Sequence, residues 1–161
     1  MNNTVRNAWG ATIFCEDIRA EIGGKITLVG MYPSAMDVHV PFPFTLPKFG
    51  LWIRYVEIPN TISGDGKLYV WLPGDETASI ESDVPMDNLR ANMPPSTDTT
   101  DLDDVSERLI MLQMPMLISP LVLNRPGLIR VRMKFGEKVI GLGSLRINES
   151  PPPDATTPPK G

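Results

Sequence analysis

One cysteine, one histidine and no long apolar run are what this 161-residue chain offers to reactive chemistry and to membranes. A lone thiol, Cys15, forbids an intramolecular disulfide and any multi-cysteine zinc site, which fits a reducing compartment and makes the cytoplasm the default location. A lone imidazole, His39, leaves every Cys-His or Ser-His-Asp arrangement dependent on one ring that nothing local orients. Zinc would have to find two further ligands among carboxylates. After the polar stretch Met1 to Arg6, the apolar residues are cut by Glu16, Asp17 and Arg19, too short a run for a signal segment or a membrane span. A surplus of positive charge is also lacking: Lys+Arg 15 against Asp+Glu 19 give a net charge of -4. No global field gathers nucleic acid or anionic lipid, so nucleic acid is disfavoured as a partner and no membrane is expected.

Glycine and proline, by contrast, are plentiful. Gly 13 and Pro 17 make 30 of 161 residues, about 19% against a background of about 12%. Between them stand short β-branched and aromatic runs without helical periodicity, so the chain reads as all-β. A domain of this length buries roughly 70% of its unfolded surface and needs no metal or disulfide. The expected organisation is a flexible arm over residues 1–7, a single domain over 8–148, and a disordered proline-rich tail over 149–161 carrying Pro151, Pro152, Pro153, Pro158 and Pro159.

Along the domain, Ala8 to Ala20 and Lys25 to Tyr32 flank Gly23-Gly24, which predicts a hairpin with a two-residue turn. The alternative there is one helical turn over Asp17 to Ile22, capped by Gly23. Prolines 33, 41, 43 and 47 predict an edge or an irregular crossover that changes sheets. Phe49 to Glu57 has a period of two, with Leu51, Ile53 and Tyr55 on one face and Trp52, Arg54 and Val56 on the other, which suits a strand with one mostly buried side. Its expected partner is Leu68 to Leu72, joined through Ser63-Gly64-Asp65-Gly66 in a meander. Thr77 to Glu81 reads as a short strand. Residues 83–104 read as a long mobile loop, acidic and proline-rich. Glu107 to Leu123, broken by Pro115 and Pro120, predicts bent or edge strands. The clearest element is a terminal hairpin of Leu128 to Phe135 and Lys138 to Ile147 about Gly136-Glu137, a pair suited to a type II′ turn.

Each chemical candidate has a plain competitor. Cys15 beside Glu16 and Asp17 would be a poor nucleophile, since carboxylates raise a thiol's pKa, and reads as an inert strand residue. Asp98, Asp101, Asp103, Asp104 and Glu107 could gather around calcium but lack the spacing and glycine of an EF-hand, so they read as a solvated acidic loop. Gly141-Leu142-Gly143 lacks the third glycine and helix of a dinucleotide loop and reads as a strand bulge or a close-packing site. The sequons at Asn2 and Asn148 mean nothing without export. Arg130, Arg132, Lys134 and Lys138 form a basic stripe on the last hairpin, and Trp52, Arg54 and Trp71 could supply aromatic and basic groups on a neighbouring sheet. Such a mixture can hold single-stranded nucleic acid, and its plain competitor is a solvent face.

The segment Ile13-Phe14-Cys15-Glu16-Asp17-Ile18-Arg19, followed by Gly23-Gly24-Lys25 and Ile26-Thr27-Leu28-Val29-Gly30, and the closing Pro126-Gly127-Leu128-Ile129-Arg130-Val131 with Gly136-Glu137, resemble a family of small uncharacterised bacterial and phage β-sandwich domains. The resemblance covers most of residues 8–148, excludes the 83–104 loop and both tails, and implies a fold without an activity, ligand or catalytic residue. The expected architecture is a two-layer antiparallel β-sandwich of about seven or eight strands, immunoglobulin-like but without the disulfide. With no convergent acid, base, nucleophile or metal set, the expected role is a non-enzymatic binding, adaptor or assembly protein. It would have a protein partner or associate with itself through sheet edges near Pro41 to Lys48 or Glu107 to Leu123, with no cofactor and no small-molecule ligand. A structural part of a phage-type assembly, a small hydrolase using Cys15 or the acidic loop, and a weak single-strand binder are the alternatives.

Overall fold

A computed structural model describes residues 7–92 and 109–151 of the chain. The alternating runs become β1 (Ala8–Ala20), β2 (Ile26–Tyr32), β3 (Ala35–Val38), β4 (Phe44–Leu46), β5 (Phe49–Glu57), β6 (Gly66–Trp71) and β7 (Ile80–Val84). A short helix α1 (Met86–Ala91) follows, then β8 (Ile110–Ile118), β9 (Leu121–Leu123), β10 (Gly127–Phe135) and β11 (Lys138–Glu149). The fold is all-β. Among the described residues it has more strands than the seven or eight expected, because short pieces such as β3, β4 and β9 form inside the proline-rich crossovers.

The strands make a four-stranded sheet in the order β2-β1-β5-β8, a five-stranded sheet in the order β3-β11-β10-β6-β7, and a ribbon of β4 with β9. One buried cluster draws on both larger sheets: Phe14, Leu51, Ile53 and Tyr55 from one, and Leu68, Val70, Ile129, Val131, Met133 and Leu145 from the other. The pairings are antiparallel except that β3 runs parallel to β11 at the sheet edge, a departure from the purely antiparallel expectation. The crossover over Pro33 to Pro47 does change sheets, since β3 borders the five-stranded sheet and β4 pairs with β9.

Three readings are corrected. The Gly23-Gly24 hairpin forms, with both glycines at positive φ, but its turn is longer than two residues: the Glu21 N–H donates to the Lys25 carbonyl at 2.8 Å, and no helical turn precedes it. β5 does not pair with β6. It lies between β1 and β8, and the chain from Ile58 to Asp65 carries β6 into the other sheet. The physical reason is that β5 is apolar on both faces and sits centrally, while a link of that length exceeds the two to five residues of a tight hairpin. Finally, the stretch taken as a long loop from residue 83 begins as the end of β7 followed by α1, and the short strand read at Thr77 to Glu81 lies at Ile80–Val84. Residues 93–104 lie outside the described residues.

The terminal hairpin forms as read, with Phe135 opposite Lys138 across a two-residue turn. The Gly141-Leu142-Gly143 motif is the bulge it resembled. Val131 faces Gly143 and Arg132 faces Gly141, so Leu142 is the extra residue. Burial in β11 consequently changes parity, from Ile140 and Leu142 to Leu145 and Ile147. Gly143 has φ +135°, and its position leaves only 3.4 Å between a would-be Cβ and the Thr12 nitrogen. Here β11 of one sheet passes close against β1 of the other.

Candidate functional site

The outer face of the five-stranded sheet is built by β6 and β10. Leu68 and Val70 point into the core, which turns Lys67, Tyr69 and Trp71 outward; Ile129, Val131, Met133 and Phe135 point in, which turns Arg130, Arg132 and Lys134 outward. The antiparallel register then sets Arg130 opposite Trp71, Arg132 opposite Tyr69 and Lys134 opposite Lys67. The Tyr69 and Trp71 rings stack with centroids 5.7 Å apart and planes 25° apart. The Arg130 and Arg132 guanidinium carbons lie 5.8 Å and 5.5 Å from the Trp71 ring centre. At exposed sites each such cation–π contact contributes about 0.5–1 kcal/mol.

Tyr69, Trp71, Arg132, Lys134 and Val139 line a concavity of about 300 Å³ on this face. Among the described residues, ion pairs join Asp17 to Arg19 and Lys48, Lys67 to Asp83, and Arg90 to Glu57 and Asp87. Arg130, Arg132 and Lys134 therefore have no carboxylate partner within that set, and the buried Nε of Arg130 has no hydrogen-bond partner. Lys67, with its Asp83 contact at 3.5 Å, and Glu81 opposite Tyr69 mark the β7 border, where the surface becomes acidic.

The aromatic and basic residues singled out from the sequence are thus divided. Trp71, Arg130, Arg132 and Lys134 come together. Trp52 and Arg54 lie on β5 of the other sheet, so Trp71 belongs with the basic stripe rather than with them. Tyr69 was missed as a site residue, although its position two residues before Trp71 puts both rings on one face of a strand. Lys138 stands at the hairpin turn and does not line the concavity.

The other chemical candidates stay apart. Cys15 is fully buried, its Sγ 3.7 Å from the Gly50 carbonyl oxygen, and burial raises its thiol pKa. His39 Nδ1 is 2.7 Å from the Pro151 carbonyl oxygen and shares no hydrogen bond with Cys15. Among the described residues no three His, Cys, Asp or Glu side chains are placed to hold a metal ion, and no helix is long and apolar enough to cross a membrane. Asp98, Asp101, Asp103, Asp104 and Glu107 lie outside the described residues.

A second concentration of charge is structural. Glu57 is fully buried; it accepts the Tyr55 hydroxyl at 2.6 Å and the Arg90 guanidinium at 2.7 Å and 3.0 Å. Arg90 also donates to the Gly64 carbonyl and to Asp87, so α1 is pinned to the link between β5 and β6. The Glu57 contact raises the Arg90 pKa, while burial and then Glu57 raise that of Tyr55. Every charge in this cluster is used internally.

Compared with protein-family models, curated proteins and solved structures, the chain matches none.

Proposed function

We propose that this protein is a non-catalytic binding protein whose outer five-stranded face receives an acidic segment of a protein partner. The observation that carries the reading is the Trp71 ring set among Tyr69, Arg130 and Arg132 at the edge of a concavity, beside cations that have no carboxylate partner among the described residues. Arginines beside aromatic rings favour a planar carboxylate, and a partly apolar floor favours a side chain next to it. A polyanion strand is less well suited: the basic track is short, is bordered by Glu81 and Asp83, and belongs to a chain of net charge -4. We further infer that the two larger sheets are the layers of an immunoglobulin-like sandwich, supported by the shared core, and that the likeness to small bacterial and phage β-sandwich domains reflects this scaffold.

The test is anisotropy with two labelled probes of equal charge, a Glu/Tyr decapeptide and an oligothymidylate. Binding of the peptide, weakened at least tenfold by Trp71→Ala and by Arg132→Ala and falling with salt, supports the reading. Binding of the oligothymidylate alone transfers the face to nucleic acid, and no binding of either probe at millimolar concentration removes the proposal.

A further inference from the structure

On the opposite side of the molecule, the four-stranded sheet shows an outer face nearly free of charge. Inward positions of β8 pack on the core through Leu112, Met114 and Met116, which turns Met111, Gln113, Pro115 and Leu117 outward. Register places these beside Val56, Arg54, Trp52 and Gly50 of β5, and Trp9, Ala11 and Ile13 of β1 continue the face. Among these outward residues Arg54 is the one charge; the exposed Glu16 and Arg19 lie at the far end of β1, beyond its pairing with β5. Yet Trp9 is 37% exposed and Met111 and Leu117 are each 46% exposed. β8 reads IMLQMPMLI, a nearly continuous apolar run of the kind found in strands covered on both faces. The core covers one.

We propose that this face is an isologous interface between two copies of the chain. A second copy is the occupant because the face lacks the charge that would select an acidic or basic partner, and an apolar surface is complementary to itself about a two-fold axis. The extent is sufficient. Four strands about 4.8 Å apart and roughly nine residues long project to about 600 Å², and the relief of the side chains brings this near the ~800 Å² per partner of a stable complex. The relief includes two concavities, of about 290 Å³ beside Trp9, Arg54 and Met111 and about 220 Å³ beside Ile18, Ile26 and Leu117. A two-fold axis lying across the strands at the level of Trp52 and Pro115 places the two Arg54 residues on opposite sides of it, roughly 14 Å apart, beyond the ~10 Å screening length at ordinary salt. The edge of β8 is the poorer surface for association, since Pro115 at its middle has no amide donor.

Sedimentation equilibrium of the full chain from 1 to 200 µM tests this. The expected result is a dimer that Met111→Glu and Leu117→Glu each weaken at least tenfold, while Val139→Glu on the other sheet leaves it intact. A second measurement leaves the interface unmutated: in Trp71→Phe, the remaining emission of Trp9 and Trp52 shifts to the red on dilution through the dissociation range. A monomer at 200 µM, growth beyond the dimer, a dimer indifferent to both glutamates, dissociation by Val139→Glu, or emission unchanged on dilution overturns the proposal.

Discussion

The Arg90 guanidinium sits across both carboxylate oxygens of Glu57, at 2.7 Å and 3.0 Å, and Glu57 has no exposed surface. A buried carboxylate held this way is stable only while its partner remains. Arg90→Ala is expected to cost about 3–5 kcal/mol in urea unfolding, because it strands the charge and frees α1. The double variant Glu57→Leu/Arg90→Met should be less destabilised than Arg90→Ala alone. A double variant as unstable as the single would show that the hydrogen bonds to Gly64 and Asp87, rather than charge compensation, dominate.

The same cluster sets a pH limit. Tyr55 is fully buried, and both burial and the neighbouring Glu57 carboxylate hold its hydroxyl protonated beyond the usual tyrosine range. In the unfolded chain that hydroxyl ionises near pH ~10. The folded pKa lies above the unfolded one, so the contribution is complete below pH ~10 and is lost as pH rises from there towards the folded value. Stability should fall by up to about 1.4 kcal/mol per pH unit for this group, and Tyr55→Phe should flatten the decline between pH 10 and 11.5. An equal decline in both proteins would assign it elsewhere.

How much of this was legible beforehand depended on the range of the interactions. The alternation of Leu128 to Phe135 and an irregularity at Gly141-Leu142-Gly143 are local patterns and were readable, whereas Leu142 is shown to be the extra residue only by the β10–β11 register. The separation of β5 from β6 was not, because the partner of a central apolar strand is chosen by distant segments, here β1 and β8. Helix α1 was hidden for a related reason. Asp87 and Arg90 look like loop residues until Gly64, Asp65 and Glu57 are brought beside them. At the candidate site the stripe Arg130, Arg132, Lys134 could be named from spacing alone, whereas placing Trp71 on it required the β6–β10 register.

Close approach of the sheets gives a third prediction. A Cβ at Gly10 would run into the Arg54 carbonyl oxygen and the Leu142 side chain, which is the bulge residue of the other sheet. The obstruction on one side is backbone and cannot rotate away. Gly10→Ala should therefore destabilise by about 1–3 kcal/mol, the usual range for overpacking. Combining it with Leu142→Ala, which leaves space on the other side, should not restore wild-type stability. Full recovery would mean that the side chain alone was the obstacle.

Lys134 stands directly opposite Lys67 across the β6–β10 pair. Like charges facing each other across strands are destabilising, and Arg130 and Arg132 on the same strand add to the repulsion. A sheet selected only for stability would place an acid there. Lys134→Glu should accordingly raise stability by about 0.5–1 kcal/mol at low salt, in thermal or urea unfolding, with the gain shrinking as salt screens the contacts. The same variant should lose affinity for the acidic decapeptide at least tenfold. Stability gained together with binding lost is the signature of a surface held for recognition. A variant that is stabilised and still binds would place Lys134 outside the recognition surface, leaving Trp71 and Arg132 to carry it.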